Sequence, residues 1–309
     1  FEGLGVRCVQ GSARLVDPWT VEVNGERRTA RRIIIATGSE PLLPPIPGLD
    51  EVEPLTSDSV WELRDLPERL LVMGGGPIGC ELAQSFARLG AKVTLVDMAP
   101  RLLPREDADV AELIDTALSE EGIDVRPGHK AVRFRNQDQG GVLVAETAEG
   151  EVELVFDRVL VAVGRRPVTE GLGLEELGLR KTPSGTLEVD EALMTTVPTI
   201  YACGDVVGPY QFTHMASHQA WYASVNALFG PLRRYKVNYR VVPWTTYTDP
   251  EVARVGLNED DARQQAVKVE VTRFEFAHND RAIAESARSG FIKVLTPPGR
   301  DRILGVTIA

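Results

Sequence analysis

Residues 70–79, LLVMGGGPIG, limit the possible folds of this chain more than any other stretch. An apolar strand runs into a Gly-x-Gly-x-x-Gly turn at Gly74, Gly76 and Gly79, and apolar residues at Ile78, Leu82, Phe86 and Leu89 then recur at helical spacing. Each glycine answers a separate demand. Gly74 permits a tight turn, Gly76 lets backbone N–H groups approach a pyrophosphate, and Gly79 lets the helix pack close on the strand. An anion there meets the positive end of the helix. Alone, the same pattern also describes a glycine-rich turn with no ligand. The following elements narrow it: the helix closes at Gly90, and a second apolar strand, KVTLVD, ends in Asp97, where a dinucleotide-binding unit places an acid for the ribose hydroxyls.

A chain of 309 residues exceeds what one core normally serves, so about two or three domains are expected. Its net charge of -11 and the absence of a dense Lys/Arg run argue against a nucleic-acid or anionic-membrane surface and for a small-molecule role. No apolar run reaches the length of a membrane-spanning helix, and no signal-peptide pattern opens the sequence. Cys8, Cys80 and Cys203 match no disulfide or zinc spacing. Reduced, mostly packed thiols in a cytoplasmic protein are therefore expected, with no metal site. Because the sequence opens without Met and stops within an apparent strand, ILGVTIA, it reads as part of something longer.

Residues 1–31 alternate, with Asn24-Gly25 as a hairpin signal, and predict a small antiparallel ribbon. The run IIIATGS predicts a strand buried on both faces, ending at Thr37-Gly38-Ser39, where either a ligand lies close or a glycine simply ends the strand. A proline-rich connector, PLLPPIPGLDEVEP, precedes a capped short helix in SDSVWELRDLP. A further helix is expected within 105–121, with Val110, Leu113, Ile114, Ala117 and Leu118 on one face and Gly122 as its stop. Strand IDVR, hairpins turning near Gly140-Gly141 and Glu149-Gly150, and the buried strand in RVLVAVGRRP complete a dinucleotide-binding domain over 50–164. Beyond it, TIYAC runs into Gly204-Asp205, which places a carboxylate at the ligand-binding edge of an open sheet, and the helix HMASHQAWYASVNALFG follows. From Asn238 alternating strands with a short helix at NEDDARQQ predict an antiparallel sheet, one face covered by a helix or by another subunit.

Taken in order, IIIATGSEP, GGGPIGCE, LVAVGRRP, YACGDV and YTDPEVARVG resemble the pyridine nucleotide-disulfide oxidoreductases of the dihydrolipoamide dehydrogenase, glutathione reductase and mercuric reductase type. The resemblance spans nearly the whole chain. It implies an α/β fold in which a Rossmann-like NAD(P)-binding domain (50–164) is inserted in a partial FAD-binding domain (1–49 and 165–237) and followed by a partial α+β dimerisation domain (238–309). FAD and NAD are the implied cofactors, and a homodimer is the implied assembly.

For NAD the resemblance implies Gly74, Gly76, Pro77, Ile78, Gly79, Glu81, Asp97 and Gly164, with Glu81 beside the nicotinamide. The other reading of Glu81 is an exposed carboxylate in the first turn of a helix. For FAD it implies Thr37, Gly38, Arg165, Gly204, Asp205, Phe212, Thr213 and His214, with Asp205 bonding the ribityl chain and residues 212–214 supporting the flavin ring. Asp97 would repel a 2′-phosphate, so NADH is expected over NADPH, with Arg101 and Arg105 nearby as the opposing signal.

Two family features have no counterpart in the sequence: the first FAD GxGxxG with its CxxxxC redox pair, and the His-Glu base pair. Both would fall outside the ends of the chain, which leaves it with no catalytic residue. Cys80 and Cys203 lie in core-like runs as packing residues, and His129, His218 and His278 lack metal-ligand spacing. The implied reaction passes hydride from NAD(P)H through FAD and a cysteine pair to a small-molecule, disulfide or metal acceptor. YTDPEVARVG leans toward mercuric reductase, whereas an acid at position 97 sits poorly with an NADPH-using one. The alternative is that this stretch is a catalytically inert nucleotide-binding and dimerisation module.

Overall fold

The computed structural model describes residues 1–137 and 140–309. They divide into two compact units, Phe1–Glu40 with Arg165–Tyr239, and Pro41–Gly164 with Arg240–Ala309.

In the second unit five strands form a parallel sheet in the order Leu55–Thr56, Arg158–Val161, Arg69–Met73, Lys92–Val96, Asp124–Arg126. Near-continuous Val and Leu runs suit strands covered on both faces. Alternation then sorts the side chains. Leu70, Val72, Val93, Leu95 and Leu160 pack with Cys80, Ala83, Val110, Ile114 and Leu118 from the helices Pro77–Leu89 and Ala108–Glu120. On the other face Leu71, Met73, Val96, Val159 and Val161 pack with Phe134, Leu143, Ala145 and Phe156 from an antiparallel meander, Lys130–Asn136, Gly141–Thr147 and Gly150–Phe156. A second sheet thus takes the place of one helical layer.

The helix Pro77–Leu89 buries a different stripe from the expected Ile78, Leu82, Phe86 and Leu89. Gly79, Cys80, Ala83 and Gln84 are buried, Leu82 and Phe86 flank them, and Leu89 is 68% exposed. Small side chains at the contact bring the helix close to the sheet and leave the large ones at its margins. SDSVWELRDLP yields only a 3₁₀ turn, Val60–Glu62, with no side-chain cap, and Ser59 Oγ instead accepts the N–H of Thr56 at 3.0 Å. So short a segment cannot offset the cost of helix nucleation.

The same unit ends in a five-stranded antiparallel sheet, in the order Pro243–Thr246, Val252–Gly256, Gly305–Ile308, Phe291–Thr296, Glu270–Glu275. Val252, Phe291 and Ala309 join the core on the helical side of the parallel sheet. Charge is buried between them and the helix Ala108–Glu120. Lys293 Nζ lies 3.0 Å from Asp107, 2.8 Å from Asp109 and 2.8 Å from Glu259, and Arg254 contacts Glu106 at 2.9 Å and Asp261 at 2.5 Å. Burial alone would depress the Lys293 ammonium; its three carboxylate partners outweigh that and raise it. Burial would likewise raise Asp107, but Lys293 and the N–H groups of Asp260 and Glu259 hold it below the usual range.

In the first unit the strands Ala13–Asp17, Thr20–Val23 and Glu26–Thr29 form the expected ribbon. Asn24 and Gly25 both take positive φ, 53° and 82°, as a two-residue hairpin turn requires. The strand Ile33–Ile35 pairs in parallel with Ile200–Ala202. Ile35 enters a core with Ile200, Ala202, Val206 and Ala223. Ile34 points the other way and is 37% exposed, so this strand is buried on one face and not on both. The helix Thr213–Phe229 supplies Ala223 and Ala227 to that core.

Candidate functional site

In the parallel sheet Arg69–Met73 has Lys92–Val96 on one side and Arg158–Val161 on the other. Its C-terminal end is therefore a topological switch point, where open α/β sheets receive ligands. The glycine turn begins there. Gly74 takes a φ of 117° and donates its N–H to Val96 O at 2.8 Å. A Cβ on Gly79 would run into the Gly74 carbonyl, so helix and strand meet backbone to backbone. A Cβ on Gly76 would meet nothing within 4 Å. Gly76 is the N-cap and Pro77 the first residue of the helix, with no side-chain cap bond. First-turn N–H groups have no partner within their own helix, and the space beside Gly76 at this helix start is open. That combination fits a pyrophosphate.

Asp97 closes the turn. Its Oδ2 accepts the Gly75 N–H at 2.5 Å and its Oδ1 the Ala99 N–H at 2.6 Å. Each oxygen keeps a further lone pair, so the carboxylate braces the glycine loop and can still accept from a hydroxyl donor. Gly75 escaped the sequence reading. Its carbonyl accepts the N–H of Leu103 at 2.8 Å, and a Cβ there would press on Leu102 at 2.6 Å. The run of three consecutive glycines was the available signal.

Glu81 lies beyond the first helical turn and is half-buried, which excludes the exposed first-turn carboxylate. Its Oε1 accepts the Tyr247 N–H at 2.8 Å, and burial raises its carboxyl above the ordinary range. The segment YTDPEVARVG thus lies along this helix. Gln84 exchanges two 2.8 Å bonds with the Asp249 backbone, and Arg88 pairs with the Asp249 carboxylate at 2.7 Å. A raised acid contributes stability that is present below its unfolded value and lost as pH rises through the folded one. Glu81→Gln keeps an acceptor oxygen for Tyr247 and removes the charge. It is expected to match or exceed wild-type stability at about pH 8, with the gap closing toward about pH 4, where the carboxyl is protonated. Urea unfolding at both values measures this, and a gap independent of pH contradicts it.

The flavin-type residues lie in the first unit. Gly38 and Gly204, with φ of 70° and 80°, follow the two paired parallel strands. Asp205 Oδ2 accepts the Ser39 hydroxyl at 2.6 Å, and Ser39 Oγ in turn accepts Arg165 Nε at 2.8 Å. Arg165 also donates to Ser39 O at 2.8 Å, and Thr37 Oγ1 donates to Val168 O at 2.7 Å. Gln219, fully buried, accepts the Gly204 N–H at 2.7 Å and donates to Gly208 O and to the Tyr239 hydroxyl, each at 2.9 Å. A Cβ on Gly38 would meet nothing, so a cradle is open beside a fixed carboxylate, which fits a polyhydroxyl chain. Phe212 caps the helix Thr213–Phe229, its ring stacked on His214 at 5.4 Å, and Thr213 and His214 are exposed. Ser39 and Gln219 were missed because only their distant partners give them a role.

Cys80 and Cys203 are buried. Burial first, then the charges of Asp97 and Glu81, push the Cys80 thiol up to about 12, and burial raises Cys203. Neither is a nucleophile at neutral pH. Among the described residues no group of three or more His, Cys, Asp or Glu is placed to hold a metal, and no helix is long and apolar enough to cross a membrane.

The family profile of the pyridine nucleotide-disulphide oxidoreductases matches residues 2–220, and the profile of their dimerisation domain matches residues 242–309. The chain belongs to the pyridine nucleotide-disulphide oxidoreductases. These are FAD- and NAD(H)-using enzymes, and the α/β architecture described above, with its dimerisation domain, is theirs. This chain is 41% identical over 313 residues to a dihydrolipoyl dehydrogenase of Thermus scotoductus, covering all of this chain and 66% of that protein. It is 34% identical over 308 residues to a mercuric reductase of Staphylococcus aureus, of which it covers 56%. The chain therefore spans less than two thirds of these relatives. Among solved structures, the flavoprotein disulfide reductase RclA of Escherichia coli superposes with a TM-score of 0.85 at 30% identity, over 97% of this chain and 68% of that one. LpdA of Mycobacterium tuberculosis gives 0.86 at 26%, over 99% and 68%.

Proposed function

We propose that this chain is the nucleotide-handling portion of an FAD- and NADH-dependent oxidoreductase of the dihydrolipoamide dehydrogenase or mercuric reductase type. The observation that carries the reading is Asp97, a fixed carboxylate at the end of the second strand and beside a glycine turn at a switch point. NAD(H) and FAD supply the hydride chemistry when bound. The chain's own residues position and select. Gly74, Gly76, Pro77, Ile78, Gly79 and Gly164 shape the dinucleotide cradle, Glu81 faces the nicotinamide, and Asp97 accepts ribose hydroxyls and repels a 2′-phosphate. Thr37, Gly38, Arg165, Gly204, Asp205, Phe212, Thr213 and His214 serve the flavin.

In this reading residues 1–49 and 165–237 belong to the flavin domain, 50–164 to the NAD domain and 238–309 to a homodimer interface. Packed, reduced thiols support a cytoplasmic setting. The 41% identity to a dihydrolipoyl dehydrogenase supports that branch ahead of the mercuric one. A second reading, of this stretch as a catalytically inert nucleotide-binding and dimerisation module, is favoured by the burial of Cys80 and Cys203 and the lack of a CxxxxC pair in the sequence.

Calorimetric titration of the purified chain is expected to show NADH binding at least about tenfold tighter than NADPH. Tighter binding of NADPH overturns the assignment of Asp97. Reduction of a disulfide substrate by the same preparation would overturn the inert-module reading.

A further inference from the structure

The loop at residues 97–103 is tied at both ends to one glycine: Asp97 accepts the Gly75 N–H, and the Leu103 N–H returns to Gly75 O. Leu103 does so with a left-handed φ of 45°. Between these anchors lies a cation. Arg101 is four residues beyond the acid assigned to the ribose, in a loop that closes on Gly75, and its guanidinium is engaged by other partners. It donates to Asp260 Oδ2 at 2.8 Å and to Glu106 O at 3.1 Å. Asp260 is itself held, its N–H donating to Asp107 Oδ1 at 3.1 Å and its second oxygen 2.7 Å from Arg263. Arg105, the other cation nearby, has its carbonyl fixed by Arg254 at 2.9 Å and Asn258 at 3.0 Å, while its side chain is exposed and points to no fixed partner among the described contacts.

A 2′-phosphate is recognised by a guanidinium close to the ribose, and an acid in the same place selects against it. We propose that Asp260 biases nucleotide choice by sequestering Arg101, which then offers no guanidinium to a 2′-phosphate beside Asp97. Asp260 is then a specificity-determining residue supplied from the dimerisation-domain sequence. The inference rests on the reading of Asp97 and the glycine turn as the NADH site. The Arg101–Asp260 pair is partly exposed, with side-chain exposures of 37% and 28%. Such pairs hold weakly, so a neutral side chain at 260 suffices to release Arg101.

The test is calorimetric titration of the chain with NADH and with NADPH. Asp260→Asn is expected to tighten NADPH by about threefold to fivefold, the most that release from so exposed a pair supplies, and to change NADH by less than about twofold. Adding Arg101→Ala removes the gain. Arg263→Ala, which breaks the other ion pair of Asp260, leaves the wild-type ratio. Arg101→Ala alone, with Asp260 intact, leaves NADPH affinity unchanged, because a sequestered guanidinium does not touch the ribose. This last variant tests the proposal even if Asp260→Asn fails to fold, since a loss of NADPH affinity in it overturns the proposal. An unchanged ratio in Asp260→Asn, or a gain that survives Arg101→Ala, also overturns it. Wild-type protein that prefers NADPH overturns both this inference and the NADH reading. Wild-type protein that prefers NADH, with an indifferent Asp260→Asn, overturns the inference alone.

Discussion

Lys293→Met is expected to cost about 3–5 kcal/mol of unfolding free energy near neutral pH, the usual consequence of leaving buried charge without its partner. The Lys293 side chain is only 2% exposed and faces three carboxylates. Asp109 and Glu259 are open enough to recover water when the ammonium is removed, but Asp107 is 4% exposed and cannot. Asp107 is also the N-cap of the helix Ala108–Glu120 and accepts the N–H groups of Glu259 and Asp260, so its discomfort reaches two helix starts. The pH dependence has a definite sign. A carboxyl held below its usual range contributes stability that is present above the unfolded value and lost as pH falls through the folded one. Removing Lys293 removes much of what lowers Asp107, so the penalty is largest near pH 7 and shrinks as pH falls toward about 4, where the variant's buried Asp107 takes up a proton. Urea unfolding across that range measures it. A loss below about 1 kcal/mol at neutral pH would mean that the three acids are adequately solvated without the lysine.

Lys293 also shows what the sequence carried and what it withheld. The alternation in FIKVLT places Lys293 on the same face as Phe291 and Leu295, and all three are buried. Period-2 patterning therefore indicated an inward charge. What it could not supply was the partner, because Asp107 and Asp109 lie far back in the sequence at another helix start. The same limit hid Gln84, buried through its bonds to Asp249, and Ser39, which links Arg165 to Asp205. By contrast, the glycine turn, Asp97 and the Asn24-Gly25 hairpin were legible, since each is dictated by backbone conformation or by short-range spacing. The helix Pro77–Leu89 is instructive in between. Hydrophobic periodicity selects its large residues, but close approach to a sheet is made by its small ones, so the true contact stripe ran through Gly79, Cys80 and Ala83.

That close approach makes Gly79→Ala a damaging small change at the glycine turn, and pairing it with Gly76→Ala separates a packing glycine from one that borders open space. A Cβ at Gly79 collides with the Gly74 carbonyl, a backbone atom with no rotamer to escape into. The helix start must shift, which is expected to cost about 1–3 kcal/mol as overpacking does. It also displaces the first-turn N–H groups relative to Gly75 and Asp97, so NADH affinity should fall by at least about a hundredfold, as misplaced binding groups do. Gly76 differs in both respects. Its φ of -78° suits any residue and its Cβ would enter open space, so Gly76→Ala should unfold within about 0.5 kcal/mol of wild type. If a pyrophosphate approaches that backbone, the added methyl occupies its place and NADH binding weakens while stability holds. Calorimetry and urea unfolding on the two variants read the distinction. Wild-type NADH affinity in Gly76→Ala would show that no anion lies against this turn, whatever the fate of Gly79→Ala.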